Sequence, residues 1–75
     1  MENILLVIGG NIRHYRGQAG LTQEQLAELA GLHRTYIGQV ERAEKNLSAR
    51  NIAKIARALQ VAPHELLKPP EGQEN

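Results

Sequence analysis

A chain of 75 residues has room for one domain, and a domain of that size buries only about 60% of the surface its unfolded form exposes. Without cysteine it has neither a disulfide framework nor a Cys/His zinc cluster to reinforce it, so pairing with a second copy is the expected reinforcement, and the composition suits the cytoplasm. A hydrophobic content of 41% with no Phe or Trp argues against disorder and for a core of Leu, Ile, Val and Ala, while a net charge of +1 argues against a uniformly basic nucleic-acid binder.

The first apolar run, ILLVI within Met1 to Ile8, lacks a basic start and is too short for a secretory signal or a membrane span. Its periodicity fits a short strand or the start of a helix equally. Gly9 and Gly10 follow, with neither G-x-G-x-x-G nor G-K-[ST] around them, so they read as close-packing glycines rather than a phosphate loop. From Asn11 to Ala19 the pattern is helical, with Ile12 on the Ile4/Ile8 face, Arg13, His14 and Arg16 around the rest, and an end before Gly20.

Thr22 opens the next helix. In the sequence T-x-x-Q its hydroxyl can accept from the Gln25 N–H while the Gln25 side chain reaches back, a capping box. Leu26, Ala27 and Ala30 recur at helical spacing, and Gly31 supplies the left-handed residue that ends a helix after Ala30. A second helix begins near Arg34, with Ile37, Val40 and Tyr36 on an apolar stripe. Its opposite face carries Arg34, Thr35, Gly38, Gln39 and Arg42 within one arc at 100° per residue. Such a face suits the DNA major groove, where Arg pairs with guanine, Gln pairs with adenine and Gly38 would let the backbone approach. An ordinary helical hairpin with a solvated polar face fits the same spacing.

Glu44 to Leu47 reads as a loop, and Ser48 is placed to cap a helix from Ala49 to about Leu59 whose stripe is Ile52, Ile55, Ala56 and Leu59. Its outer face, with Arg50, Lys54 and Arg57, reads as a solvated basic surface. Val61 turns inward, and Pro63 suits the first position of a last short helix carrying Leu66 and Leu67. Both leucines cannot face the interior of so short a helix, so one is surplus and a homodimer surface is expected here and at the end of the preceding helix. Residues 69–75 are expected to form a disordered tail. From Arg34 to Arg57 six basic residues face two acidic ones, so the charge is polarised although the sum is small. His14, His33 and His64 have no partner at ligand spacing, and no nucleophile–base set or carboxylate pair is visible, so the chain is expected to be no enzyme and to need no metal, cofactor or small-molecule ligand.

The stretches LTQEQLAELAGLHRTYIGQVERAEKNLS and IAKIARALQVAPHELL resemble the Cro/repressor (XRE-type) helix-turn-helix family over roughly Ile8 to Leu67. The L-[ST]-Q start, the A-G-hydrophobic turn, the I-x-x-hydrophobic-E run and the final V-x-P-x-x-L-L carry the resemblance together. RTYI, ER and NL are also similar to the controller proteins of restriction–modification systems. The resemblance implies an all-α, five-helix lambda-repressor-like domain over residues 1–68, with the helix-turn-helix at helices 2 and 3. It implies a transcriptional regulator that binds a palindromic operator in double-stranded DNA as a homodimer. By the same resemblance Arg34, Thr35 and Gln39 read bases and Arg16 pairs with Glu41 to link helix 1 to the second motif helix. Gln23, at the positive end of its helix, is expected to meet phosphate with its side chain and N–H groups, and Tyr36, Arg42, Lys45 and Asn46 flank the reading face as expected phosphate contacts, with sideways packing as the alternative for Tyr36. His33 departs from the Ser, Thr or Asp usual at that N-cap. An antitoxin-type module that also holds a toxin is the alternative, although the tail lacks the apolar anchors such a role uses.

Overall fold

The computed structural model describes residues 3–69, and within them the secondary structure is entirely helical. The elements are α1 (Ile4–Gln18), α2 (Gln23–Ala30), α3 (Arg34–Glu41), α4 (Ala49–Leu59) and a terminal 3-10 helix, η1 (Pro63–Leu66). The expected tail lies, apart from Pro69, outside the described residues. No helix among the described residues is long and apolar enough to cross a membrane.

Side-chain caps explain most of the helix starts. Asn3 accepts from the Leu5 N–H at 2.9 Å, so the ILLVI run enters a helix rather than a strand. At α2 both halves of the capping box form: Gln25 N–H to Thr22 Oγ1 at 3.0 Å and Thr22 N–H to Gln25 Oε1 at 2.9 Å. Gly31 then ends the helix at φ 71°. Ser48 caps α4 through the Asn51 N–H at 3.0 Å. His33 begins α3 without any side-chain cap bond. The ends of α3 and α4 are less orthodox, because Ala43 (φ 62°) and Gln60 (φ 61°) hold left-handed positions that usually fall to glycine.

The core joins Ile8 and Ile12 of α1, Leu26, Ala27 and Ala30 of α2, Ile37 and Val40 of α3, Ile55, Ala56 and Leu59 of α4, and Leu66 of η1. Helix α3 packs against both α1 and α2, α4 packs on α2, and η1 bridges α1 and α4. The α1–α3 seam is closest at Gly9, where an added Cβ would stand 2.5 Å from the Val40 carbonyl oxygen and 2.8 Å from that of Glu41. Gly10 is a correction to the reading of a close-packed glycine pair. One residue further round the helix it faces open space, with nothing within 4 Å of an added Cβ. Ile4 is also displaced from its expected place, since it is half-exposed and the buried part of that face runs from Ile8 to Ile12.

The last element is a 3-10 helix where a fifth α-helix was expected. Its closing bond runs from the Leu67 N–H to the His64 carbonyl, three residues back, at 3.0 Å. The buried Asn11 of α1 takes up the following carbonyls: its Nδ2 donates to Leu66 at 3.0 Å, Lys68 at 2.8 Å and Glu65 at 3.3 Å. With those acceptors engaged from outside, the short segment satisfies its backbone without an i→i+4 ladder. Leu66 is fully buried by this arrangement, whereas Leu67 stays 42% exposed.

Candidate nucleic-acid interface

The polar flank of α3 begins with Arg34 and Thr35, both exposed, and continues to the half-buried Gln39 one turn on. Across a groove from it stands the first turn of α2, so that Gln23 and Glu24 face Arg34, Thr35, Gly38 and Arg42. The angle between the two helices is fixed beneath that groove by Glu41, whose side chain is 3% exposed. Its carboxylate accepts from Arg16 Nε at 2.6 Å, Arg16 Nη2 at 3.1 Å and Gln23 Nε2 at 3.0 Å. Arg16 spends its remaining nitrogen, Nη1, on the Leu21 carbonyl at 2.9 Å. One buried carboxylate thus ties α1, the turn before α2, α2 itself and α3 together, and each side-chain nitrogen of Arg16 and Gln23 has an acceptor.

This brace changes the part open to two residues. The Gln23 carboxamide nitrogen is bonded to Glu41, and the capping box takes the Gln25 N–H, which leaves the backbone N–H groups of Gln23 and Glu24 as the first-turn donors open to a phosphate. Gly38, read as a point of backbone approach, is instead buried: an added Cβ would meet the Arg42 guanidinium at 3.1 Å and Gln23 Oε1 at 3.5 Å. Its small size lets those two side chains fold across the helix.

The cations of the face divide into held and open groups. Arg42 grips Glu44 with two bonds, Nε to Oε2 at 3.0 Å and Nη2 to Oε1 at 3.2 Å. The hydrogen bond from Arg42 holds the Glu44 carboxyl below the usual carboxylate range and raises the Arg42 guanidinium in turn. Arg34 approaches Glu24 most closely through Nη1, at 3.6 Å, with the two side chains 71% and 73% exposed. Lys45 and Asn46 are exposed in the α3–α4 loop. Tyr36 turns sideways: its hydroxyl accepts from Asn51 Nδ2 at 3.0 Å and lies 3.5 Å from the Asn46 carbonyl, which joins α3 to the loop and to α4. Asn51 is the residue that the sequence reading passed over, and a polar side chain in the first turn of a capped helix gives no local sign of a partner 15 positions away. Arg50, Lys54 and Arg57 are exposed along α4.

Two short helices meeting at a left-handed glycine, with the second presenting an exposed polar flank, form a helix-turn-helix. A family model described as HTH_3, helix-turn-helix, matches residues 12–66. The chain belongs to this helix-turn-helix family. It is 48% identical over 61 residues to the control protein C.SmaI of Serratia marcescens, a match that covers 81% of this chain and 73% of that protein. In three dimensions it superposes on the restriction–modification controller protein C.AhdI from Aeromonas hydrophila with a TM-score of 0.81 at 48% identity, covering 83% of this chain and 94% of that one. The P22 c2 repressor, in a complex with a synthetic operator, gives a TM-score of 0.78 at 32% identity over 84% of this chain and 96% of that chain. The helix-turn-helix seen here is therefore the one on which phage-repressor and controller-protein folds are built.

Proposed function

We propose that the chain is a sequence-specific DNA-binding transcriptional regulator that acts in the cytoplasm as a homodimer, in the manner of a restriction–modification controller. The observation that carries this reading is the polar flank of α3, exposed Arg34 and Thr35 with half-buried Gln39, beside the first turn of α2 and tied to it by the Glu41 brace. Recognition needs such rigidity, because a base edge is read within hydrogen-bond tolerance. Arg34, Thr35 and Gln39 enter the major groove and read bases. The start of α2 at Gln23, together with Lys45, Asn46, Arg42 and Tyr36, lies along the phosphates, with Tyr36 acting through the loop it holds. Leu66 serves the domain core, and the exposed Leu67 is the leucine left for a second copy. Two copies then present α3 to successive major grooves, with half-sites about 10 bp apart.

The reading is tested by binding titrations on a duplex selected from a random pool and on a shuffled duplex, at several salt concentrations. Arg34→Ala should lose about 1–3 kcal/mol on the selected duplex and relax preference at one base pair. Lys45→Ala should weaken both duplexes alike and flatten the salt slope by about one unit. Equal weakening of both duplexes by Arg34→Ala would make it a backbone contact and overturn the assignment. For the dimer, Leu67→Asp should sediment as a folded monomer, and a variant that remained dimeric would move the interface elsewhere.

A further inference from the structure

We infer that Glu24, on α2, is a specificity-determining residue of the DNA face: it stands beside Arg34 and penalises a phosphate partner for that guanidinium more than a guanine one. This rests on the base-reading role proposed for Arg34. Glu24 is the acidic residue of α2's first turn, it lines the same groove as Arg34, and its Oε1 lies 3.6 Å from Arg34 Nη1. A carboxylate at the mouth of a DNA-binding groove repels phosphate whatever the sequence, so its presence works against affinity for DNA in general.

The geometry shows what it does instead. A guanidinium carries five N–H donors in a rigid fork, and the nearest approach to Glu24 is through one terminal nitrogen at 3.6 Å, beyond hydrogen-bond distance. The Nε–Nη2 edge stays open and matches the bidentate pattern of guanine O6 and N7. Arg34 can read a guanine while keeping its carboxylate neighbour. The same edge can grip two phosphate oxygens, but a phosphate brings a full negative charge up to the Glu24 carboxylate whereas guanine O6 and N7 bring only partial charge, so the acid costs the phosphate-bound state more than the guanine-bound one. The neighbouring Arg42–Glu44 pair differs, because both Nε and Nη2 are already engaged there and no bidentate edge is left for a base.

The test is a double-mutant cycle of Glu24→Gln and Arg34→Ala, with affinities measured on a duplex selected from a random pool and on a shuffled duplex across a salt series. Glu24 is exposed, so the variants are compared as folded proteins once their far-UV circular dichroism spectra agree with that of the parent. Glu24→Gln should tighten binding to the shuffled duplex and steepen its salt slope, while the ratio of selected to shuffled affinity falls about threefold, the scale of one exposed ion pair. In the Arg34→Ala background the same change should raise both affinities equally and leave the ratio alone. If Glu24→Gln leaves the ratio unchanged although Arg34→Ala lowers it, Glu24 is only a repulsive surface charge and this inference fails by itself. If Arg34→Ala weakens both duplexes equally, or if no duplex is preferred in the selection, the base-reading assignment and this inference fall together.

Discussion

Gly9 and Gly10 are neighbours in one helix, yet replacing each by alanine should move stability in opposite directions. At Gly10 the new methyl group meets nothing within 4 Å, so the substitution acts through helix propensity and through restriction of the unfolded chain. The expected gain is about 1 kcal/mol. At Gly9 the methyl would stand 2.5 Å from the Val40 oxygen and 2.8 Å from the Glu41 oxygen, and both are backbone atoms that no rotamer change can move. The α1–α3 seam must then open by at least about half an ångström, which forfeits about a quarter of the dispersion attraction across it. That seam holds Ile8 and Ile12 against Ile37 and Val40, and it also carries the Arg16–Glu41 brace. Overpacking of this kind costs about 1–3 kcal/mol, and rigid backbone on both sides places Gly9→Ala at the upper end, about 2 kcal/mol net after the propensity gain. A domain of this length has about 4–11 kcal/mol in all. Since 1 kcal/mol shifts Tm by about 4–8 °C at this size, Gly10→Ala should melt about 4–8 °C higher than the parent and Gly9→Ala about 8–16 °C lower. Thermal and urea unfolding at matched protein concentrations measures this, the matching being needed because association raises apparent stability. A Gly9→Ala protein as stable as the parent, or two variants shifted in the same direction, would refute the argument.

The brace gives a second expectation. Arg16→Met leaves a carboxylate that is 3% exposed with Gln23 as its one remaining side-chain donor and should cost about 3–5 kcal/mol, whereas Arg16→Met combined with Glu41→Leu should recover much of the loss in denaturant titrations. A double variant no more stable than Arg16→Met would show that the stranded charge is not the cause. Ala43→Gly removes a left-handed strain of about 1–2 kcal/mol against an unfolded-chain penalty of about 0.4–1 kcal/mol, so a rise in Tm of a few degrees is expected, and a fall would mean that the Ala43 methyl is held by packing.

What the sequence determined by itself is local. The capping box at Thr22, the left-handed Gly31, the Ser48 cap and Pro63 at the head of η1 each act within four residues of their own position, so their chemistry is visible in the chain before it folds. The apolar spacing of Leu26, Ala27, Ala30, Ile37, Val40, Ile55, Ala56 and Leu59 is equally local, and all of them are buried, while Tyr36 and Ile52 of the same stripes are only partly buried at the edge of the core. The polar arc of Arg34, Thr35, Gln39 and Arg42 could be read from helical geometry as a candidate face, and the motif set raised it from an ordinary solvated surface to a DNA-reading one. Tertiary structure decided whatever depends on partners distant in sequence. Which of two adjacent glycines meets another backbone, why the last helix tightens to a 3-10 turn around Asn11, which of two adjacent leucines is left outside, and why the Gln23 carboxamide is committed to Glu41 all turn on neighbours in other elements of the fold. Periodicity places a residue on a side of its own helix. It carries no record of which helix, carbonyl or carboxylate will stand opposite, because that is set only when the helices pack.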